Sequence, residues 1–292
     1  MKKEQVAILT DTNSGIDSEL AEKLGVYSIP MPVIINGQTY FEGKDITKEE
    51  FFTRMANGDD ISTSMPAPGD IIDFFTNLLE DYKEIVYIPM SSGLSSTCET
   101  ATMLAKEFDG KVFVVDNQRI SITLYQSVLD AVYLAKKGKT GSEIAAILKE
   151  DGLNSSIYVS VDTLKYLLKG GRVTAAGAAI GTVLNIKPVL TIQGGKLDAF
   201  SKSRGMKKAM KKMLEAITAD KENRFADQKT IIRLAYSGDD TVKEEWLKEA
   251  LEYFQSDDME IHFLPLSIST HVGEGALGVG ICAPIEWNEK YN

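Results

Sequence analysis

Hydroxyl side chains are concentrated in one short stretch of the chain, between an apolar segment and a segment with a helical pattern. The stretch YIPMSSGLSSTCETA, residues 87–101, contains the hydroxyl residues Ser91, Ser92, Ser95, Ser96 and Thr97 ahead of the helical segment. Hydroxyls both donate and accept hydrogen bonds, so such a turn could hold a nucleophilic serine, a phosphate or a carboxylate. The rest of the sequence bears on which of these three chemistries applies.

A serine hydrolase is the first possibility, with Ser95 as the nucleophile. The nucleophile turn of α/β-hydrolases has the pattern G-x-S-x-G, whereas this chain reads Gly93-Leu-Ser95-Ser-Thr97 and lacks the second glycine. The available bases are His262 and His271, the two histidines of the sequence. A serine esterase or thioesterase acting on acyl substrates therefore stays open as an alternative function.

Nucleotide and metal sites are not indicated by the motifs. The triplet Gly138-Lys-Thr140 ends like a phosphate-binding loop, but Tyr133 stands where the first glycine of that motif belongs. The run GEGALG, residues 273–278, matches a dinucleotide-binding pattern, yet only 14 residues follow it, too few for a ribose-binding acid ~20 residues further on. The two histidines and two cysteines do not have metal-ligand spacing. We expect no cofactor and no metal.

Anion binding is the remaining chemistry. The serine-rich turn precedes a predicted helix, and free N–H groups and the helix dipole favour negative charge at a helix N-terminus. A second pair of hydroxyls, Thr63 and Ser64, also lies at a strand-to-helix turn, shortly before Pro68. Two such turns on neighbouring strands would meet at one edge of the sheet. Simple helix capping explains the same residues, and the sequence alone favours neither interpretation.

Two basic residues are further candidates. Arg204 follows a predicted strand and could supply a planar fork for a carboxylate. His271 is followed closely by glycines, a setting that suits a structural and a functional role equally well. After Arg204, lysines of residues 207–212 repeat at one helical turn, and a solvated face is the default interpretation of that pattern.

The composition restricts partners and location. The chain of 292 residues is 43% hydrophobic and has a formal net charge of −10, which opposes binding to nucleic acid. The most apolar window, residues 173–192, contains Asn185, Lys187 and Pro188 and is predicted to be a helix followed by a strand, not a membrane span. The N-terminus leads directly into an apolar strand without a signal-peptide pattern, so we expect a cytoplasmic protein without integral membrane association.

Two patterns of secondary structure divide the chain. In residues 1–152, the strands VAILTD, EIVYIPM and KVFVVD alternate with helical segments, which predicts an α/β domain with a parallel sheet. Asn36-Gly37 predicts a hairpin in this part, and Asp11 is predicted to form an Asx-turn after the first strand. In residues 153–292, a hairpin at Gly194-Gly195 and the final strands EIHFLPLS and GVGICAP predict an α+β domain with a mixed or antiparallel sheet.

These motifs together resemble the DegV family of bacterial fatty-acid-binding proteins. The resemblance extends over essentially the whole chain and rests on ILTDTNSGI, TSMPAPGDI, SSGLSSTCETA, LLKGGRVTAAGAAIGTVLNIKPVLTIQGGKL and STHVGEGALG. The sequence departs from the family pattern at Ser96, where a glycine is usual, and at Met65, where the family often has glutamine. The missing glycine removes backbone freedom beside the candidate site.

The resemblance implies an N-terminal three-layer α/β/α domain and a C-terminal two-layer α+β domain, with one long-chain fatty acid between them. The carboxylate would lie near the surface and the acyl chain inside. By position, Thr63 and Ser95 correspond to the carboxylate-binding hydroxyls, with Ser64 and Ser96 beside them and Arg204 and His271 as nearby basic residues. The resemblance further implies a protein that is not an enzyme and that presents its fatty acid to a separate ATP-dependent fatty acid kinase. A regulatory lipid sensor is compatible with the same residues.

Overall fold

The computed structural model describes residues 4–180 and 186–291. Its strands are β1 Glu4–Asp11, β2 Tyr27–Ile29, β3 Pro32–Ile35, β4 Gln38–Phe41, β5 Ile61–Thr63, β6 Tyr82–Ile88, β7 Val112–Val114, β8 Ser155–Ser160, β9 Ile186–Ile192, β10 Asp198–Arg204, β11 Ile231–Tyr236, β12 Ile261–Phe263 and β13 Leu277–Cys282. Its helices are α1 Ser18–Leu24, α2 Lys48–Ala56, α3 Pro68–Asp81, α4 Thr97–Leu104, α5 Ser121–Lys136, α6 Gly141–Glu150, α7 Lys165–Gly170, α8 Ala175–Ile180, α9 Met206–Asn223, α10 Asp240–Phe254 and α11 Leu266–Val272.

The chain forms two compact units that are not contiguous in sequence. Unit 1 contains residues 1–32 and 64–154, and unit 2 contains residues 33–63 and 155–292. The predicted division after residue 152 differs from this arrangement for residues 33–63. That segment belongs to unit 2 because Val33, Phe51 and Ile61 pack in one apolar cluster with Leu266. Sequence patterns report periodicity within a segment, not the segment against which it packs.

Unit 1 is built on a four-stranded sheet in the order β2-β1-β6-β7, and all its pairings are parallel. Alternate residues of the strands point to opposite faces. Leu9 and Tyr87 lie in one core with Phe75 of α3, whereas the intervening residues Ile8 and Val86 are buried on the other face. Helix α5 contacts β1 and β6, and α6 contacts β6 and β7. These contacts confirm the predicted three-layer α/β/α arrangement.

Unit 2 contains a six-stranded sheet in the order β10-β9-β8-β13-β11-β12. The pairings are antiparallel except for the parallel pair of β11 and β12. Helices α9 and α10 cover one face, where Met213, Ile217 and Trp246 pack with strand residues such as Val279. Trp246 is fully buried and its indole N–H donates to the carbonyl of Gly278 over 3.0 Å. The predicted mixed sheet with a helical layer is confirmed.

The predicted hairpin at Asn36-Gly37 is confirmed and belongs to unit 2. Asn36 and Gly37 have φ angles of 50° and 82°, as a type I′ turn requires. The hairpin strands form a small sheet in the order β4-β3-β5, in which β5 pairs antiparallel with β3. Strand β5 ends at Thr63, so this hairpin determines where that candidate residue lies.

The segment EIHFLPLS is not one strand, contrary to the prediction. Strand β12 ends at Phe263, and α11 begins at Leu266 directly after Pro265. Proline lacks the N–H that a strand ladder requires but is well tolerated just before or within the first turn of a helix. His271 therefore lies in the last turn of a short helix and not in a loop.

The apolar window 173–192 is a helix followed by a strand, as predicted. Helix α8 and strand β9 account for its described residues, and residues 181–185 lie outside the described ranges. Among the helices that the structure describes, none has the length and apolar character needed to cross a bilayer.

Candidate functional site

The serine loop, residues 89–97, connects β6 to α4 and is anchored through three consecutive backbone N–H groups. Met90 N donates to Asp11 Oδ2 over 3.0 Å. Ser91 N donates to the Arg119 carbonyl over 2.9 Å. Ser92 N donates to Asp116 Oδ1 over 3.3 Å. Asp11 is the last residue of β1, and Asp116 and Arg119 follow β7; these strands are the two neighbours of β6 in the sheet. The loop is thus held from both sides at the carboxyl edge of the parallel sheet.

The next N–H groups of the loop are satisfied within it. Gly93 N donates to Ser91 Oγ over 3.2 Å, and Leu94 N and Ser95 N donate to the Ser91 carbonyl over 3.0 and 3.2 Å. Ser91 is fully buried, so its hydroxyl has a structural role. The backbone donors of residues 90–95 are therefore committed to the fold. An anion at this loop has to be met chiefly by side-chain hydroxyls, not by the loop amides that the sequence suggested.

Ser95 is half-buried and hydrogen-bonded to Thr97. Its Oγ accepts from Thr97 N over 3.2 Å and lies 2.9 Å from Thr97 Oγ1. When the Thr97 hydroxyl donates to Ser95, the Ser95 proton is left for an external acceptor. Ser96 occupies the N-cap position of α4 without a capping hydrogen bond, and its hydroxyl points to the Met65 sulfur, 3.5 Å away. Capping therefore does not explain Ser96.

Thr63 and His271 form the second polar centre, which lies within unit 2. Thr63 Oγ1 is 2.8 Å from His271 Nε2. Burial, with a smaller effect from the positive charge of Arg172, lowers the pKa of His271 to about 4. The imidazole is neutral at pH 7. If its Nε2–H donates to Thr63 Oγ1, the Thr63 hydroxyl proton is free for another acceptor. The neutral imidazole then donates to the Thr63 hydroxyl, and that hydroxyl donates to the next acceptor.

Gly170 allows the His271 ring to lie where it does. A Cβ atom on Gly170 would be 2.2 Å from His271 Nδ1, a distance that packed side chains do not adopt. The sequence alone does not identify Gly170 and Arg172 as neighbours of the histidine. Their shared segment, LLKGGR, has a glycine pair that the sequence explains as a helix end, followed by a cation, and this pattern does not point to the histidine.

Thr63 and Ser64 are not helix caps. The N-cap of α3 is Ala67, which has no side-chain cap. Ser64 is exposed, and its hydroxyl donates to the Met65 carbonyl over 3.0 Å. The expectation that both hydroxyl turns follow neighbouring strands of one sheet is wrong. Strand β5 lies in the three-stranded sheet of unit 2, whereas the serine loop belongs to the parallel sheet of unit 1.

Arg204 lies at the exposed end of β10, on a basic surface. It lines a recess of about 340 Å³ that we call the basic recess, formed by Lys202, Ser203, Arg204, Lys208, Lys211, Lys212 and Glu215. Lys208, Lys211 and Lys212 come from α9 at the predicted helical spacing, and Lys202 comes from β10. Lys212 is paired with Glu215 over 2.8 Å, and the other cations of the recess face solvent.

The arrangement speaks against a serine hydrolase and against a dinucleotide site. Ser95 is paired with Thr97 and His271 with Thr63, while His262 Nε2 lies 3.5 Å from Glu260. A hydrolase would need one of these histidines to activate Ser95. The run GEGALG leads from α11 into β13, whereas a dinucleotide motif leads from a strand into a helix. Within the described ranges, no three His, Cys, Asp or Glu residues are grouped to hold a metal ion.

The fold and these side chains define a two-unit α/β protein with neutral hydroxyl donors at two polar centres. The chain belongs to the DegV family, because residues 5–284 match the family model, which is described as "Uncharacterised protein, DegV family". A DegV domain-containing protein of Staphylococcus aureus is 32% identical over 275 residues, covering 93% of this chain and 96% of that protein.

Two solved structures of the family are also similar to this chain. A DegV family protein from Thermus thermophilus, described as fatty acid binding, has a TM-score of 0.85 and 30% identity and covers 96% of this chain and 99% of its own. DegV from Bacillus subtilis, described as a fatty acid binding protein, has a TM-score of 0.83 and 26% identity and covers 96% of this chain and 100% of its own.

Proposed function

We propose that the protein binds a long-chain fatty acid, with the hydroxyls of Thr63 and Ser95 donating hydrogen bonds to its carboxylate. The observation that carries this proposal is the pair of Thr63 and a neutral His271; when Nε2–H of His271 donates to Thr63, the Thr63 hydroxyl proton is left for an acceptor. The hydroxyl of Ser95, supported by Thr97, offers the same chemistry. The fatty-acid-binding relatives from Thermus thermophilus and Bacillus subtilis support the assignment of the ligand class.

The energetics suit a fatty acid. Burial of an acyl chain contributes about 0.8 kcal/mol per CH₂, so a C16 chain offers on the order of 10 kcal/mol before ordering costs. We propose that the acyl chain is buried inside the protein, as the family resemblance implies. The carboxylate must still be matched, because an unpaired buried charge is costly. Neutral hydroxyls satisfy the carboxylate less tightly than a direct ion pair, which leaves its oxygen available for a later reaction.

We further propose that the protein is not itself an enzyme and presents the bound acid to an ATP-dependent fatty acid kinase. In that step a carboxylate oxygen attacks the γ-phosphorus of ATP, and acyl phosphate and ADP are released. The basic recess is the proposed docking surface for an acidic face of the kinase. Its cations Arg204, Lys208 and Lys211 form a local positive surface on a chain of net charge −10.

The first experiment is native mass spectrometry of the protein purified without detergent, followed by organic extraction. A stoichiometric fatty acid in the wild-type protein, or uptake of added palmitate, is the expected result. Thr63→Val and Ser95→Ala should each weaken palmitate binding about tenfold, since each removes a hydrogen bond to a charged group. Thr53→Val and Ser92→Ala are matched controls at exposed hydroxyls of the same units.

Two outcomes would reject parts of this proposal. A folded double variant of Thr63 and Ser95 that binds palmitate like the wild-type protein would remove these residues from the site. A wild-type protein that neither contains nor takes up C16 or C18 acids would contradict the ligand class. Hydrolysis of p-nitrophenyl esters that is lost in Ser95→Ala would then favour the esterase alternative.

The docking surface is tested by charge reversal. Lys208→Glu with Lys212→Glu should slow acyl phosphate formation by the kinase and leave palmitate binding unchanged, because both residues lie on the outside of α9. Lys221→Glu with Lys229→Glu is the control pair, exposed in the same unit and outside the recess. Equal rates for both double variants would exclude the recess as the docking surface.

A further inference from the structure

We propose that Asp11 is the positioning residue of the serine loop, holding the backbone at Met90 and thereby the hydroxyl of Ser95. This role rests on the proposed carboxylate site, of which Ser95 is one half. Asp11 is the last residue of β1 and is completely buried, and it does not belong to either polar centre.

The carboxylate of Asp11 joins two loops that leave neighbouring strands. Its Oδ1 accepts from Asn13 N and Asn13 Nδ2 over 3.0 and 2.8 Å, which confirms the predicted Asx-turn. Its Oδ2 accepts from Met90 N over 3.0 Å, a contact that spans 79 residues of sequence. The turn needs only the first oxygen. The second oxygen, Oδ2, makes no hydrogen bond within the turn and instead connects the turn to the serine loop.

The anchor reaches Ser95 by a short path. Met90 is followed by Ser91, whose carbonyl accepts from Ser95 N over 3.2 Å. The N–H of Met90 belongs to the Pro89–Met90 peptide, so the bond to Asp11 fixes the backbone one residue before Ser91, and the Ser91 carbonyl holds the backbone of Ser95. The other anchors of the loop are the Arg119 carbonyl and the Asp116 carboxylate, and both act from the β7 side. Asp11 alone of these three acts from β1.

A carboxylate is required at this position, and an amide of the same shape does not replace it. Asparagine has one acceptor oxygen, so it can serve either Asn13 or Met90 but not both. If the asparagine oxygen served Asn13, its NH₂ group would lie against the N–H of Met90, and two donors would face each other. A buried N–H without an acceptor is costly, so the loop would move to satisfy it.

The ionised carboxylate is the form that holds the loop. Burial raises the pKa of Asp11 to about 6, and the N–H donors of Met90 and Asn13 oppose that rise. On protonation, one oxygen would have to turn an O–H toward an N–H donor, because both oxygens face donors. The titratable neighbours are the Tyr87 phenol on β6 and the Cys98 thiol on α4. Both have pKa values raised by burial, that of Cys98 to about 12, so they remain neutral while Asp11 changes its charge.

The test compares Asp11→Asn with Asp17→Asn. Asp17 is the exposed N-cap of α1, and its Oδ1 accepts from Leu20 N over 2.8 Å. The control therefore makes the same carboxylate-to-amide change in unit 1 at a position where the single oxygen of asparagine suffices. We expect the Met90 amide to exchange with solvent about tenfold faster in Asp11→Asn, and the Kd for palmitate to rise about tenfold. The control should change neither quantity. A folded Asp11→Asn protein with normal Met90 exchange and normal palmitate affinity would overturn the proposal.

A pH series on the wild-type protein gives a second measurement that does not depend on the variant's folding. The ¹⁵N shift of Met90 should titrate with a midpoint near 6, the pKa of Asp11, while the shift of Leu20 does not. A Met90 resonance that stays constant while the Asp11 carboxyl carbon titrates would overturn the proposed anchor. The amide measurements need no fatty acid, so they separate failure of the anchor from failure of the ligand assignment. A titrating Met90 in a protein that never binds palmitate supports the anchor and rejects the fatty acid.

Discussion

The Oγ1 atom of Thr63 lies 2.8 Å from the Nε2 atom of His271, although 208 residues separate them in sequence. The contact exists because the hairpin segment, residues 33–63, packs with the C-terminal half of the chain. It places the end of β5 beside the last turn of α11. A histidine that burial keeps neutral can then support a hydroxyl donor without adding a permanent charge to the site.

The buried histidine predicts a loss of stability in acid. The pKa of His271 is about 4 in the folded protein, below its ordinary value of 6.5, so the unfolded chain binds the proton first. The contribution of His271 to the free energy of unfolding is thus complete above pH 6.5 and is lost as the pH falls toward 4. The loss amounts to about 3 kcal/mol at most.

Urea unfolding between pH 4 and 7 measures this effect. His271→Gln keeps an N–H donor for Thr63 but does not titrate, so its stability should fall less steeply with decreasing pH than that of the wild-type protein. His262→Gln is the control, since His262 pairs with Glu260 and does not contact Thr63. Identical pH slopes for His271→Gln and the wild-type protein would contradict the assignment.

Substitution of Gly170 gives a steric test of the pair of Thr63 and His271. In Gly170→Ala the new Cβ would overlap the imidazole at Nδ1, so the ring has to shift and its contact with Thr63 is disturbed. We expect a loss of about 1–3 kcal/mol in unfolding free energy, together with weaker palmitate binding. Gly69→Ala is the matched control in α3, where a Cβ meets no atom within 4 Å. That change should be neutral or stabilising by about 0.5–1 kcal/mol, because alanine is the better helix former. Equal stabilities of the two variants would show that the ring tolerates the methyl group.

Much of the local structure could be predicted from the sequence, because local patterns determine it. The alternating strands and helices of unit 1, the Asn36-Gly37 hairpin and the Asx-turn at Asp11 follow from periodicity and turn chemistry within a few residues. Thr140 also caps α6 as its spacing from Glu143 suggests, with both hydrogen bonds of the capping box present.

The remaining features depend on contacts between distant segments. The assignment of residues 33–63 to unit 2 and the pairing of Thr63 with His271 arise from packing that no local pattern encodes. The short helix α11 was missed because its apolar residues and β-branched Ile268 and Thr270 also suit a strand. The serine loop was located correctly as a turn, but the use of its amides within the fold became visible only with the acceptors Asp11 and Arg119 in place.

We expect that removing the hydroxyl of Tyr87 does not lower the free energy of unfolding. Its phenol oxygen is buried in the core of unit 1 and has no hydrogen-bond partner in the part of the chain that the structure describes. Removing an unsatisfied buried hydroxyl recovers its desolvation cost, so Tyr87→Phe should leave the unfolding free energy unchanged or raise it by up to about 1 kcal/mol. Tyr158→Phe is the control, because the Tyr158 hydroxyl donates to Asp220 over 3.0 Å. The control should lose about 1 kcal/mol. Destabilisation of Tyr87→Phe as large as that of the control would indicate a partner for the phenol.

We expect the substitution of Arg119 to cause a large loss of stability in unit 1. Its guanidinium is buried and donates to the Asp151 carboxylate over 2.8 Å and to the Gly152 carbonyl over 3.0 Å. In Arg119→Met the Asp151 carboxylate is left buried without its counter-charge, which costs about 3–5 kcal/mol. Burial already raises the pKa of Asp151, against the lowering effect of Arg119, and removing the cation raises it further. The penalty should therefore shrink in acid, where the carboxyl is protonated, and in Arg119→Met combined with Asp151→Asn. Lys23→Met, which breaks an exposed pair with Glu19, should change stability far less than Arg119→Met by the same urea measurement. A loss below about 1 kcal/mol for Arg119→Met would show that water or a rearranged chain replaces the ion pair.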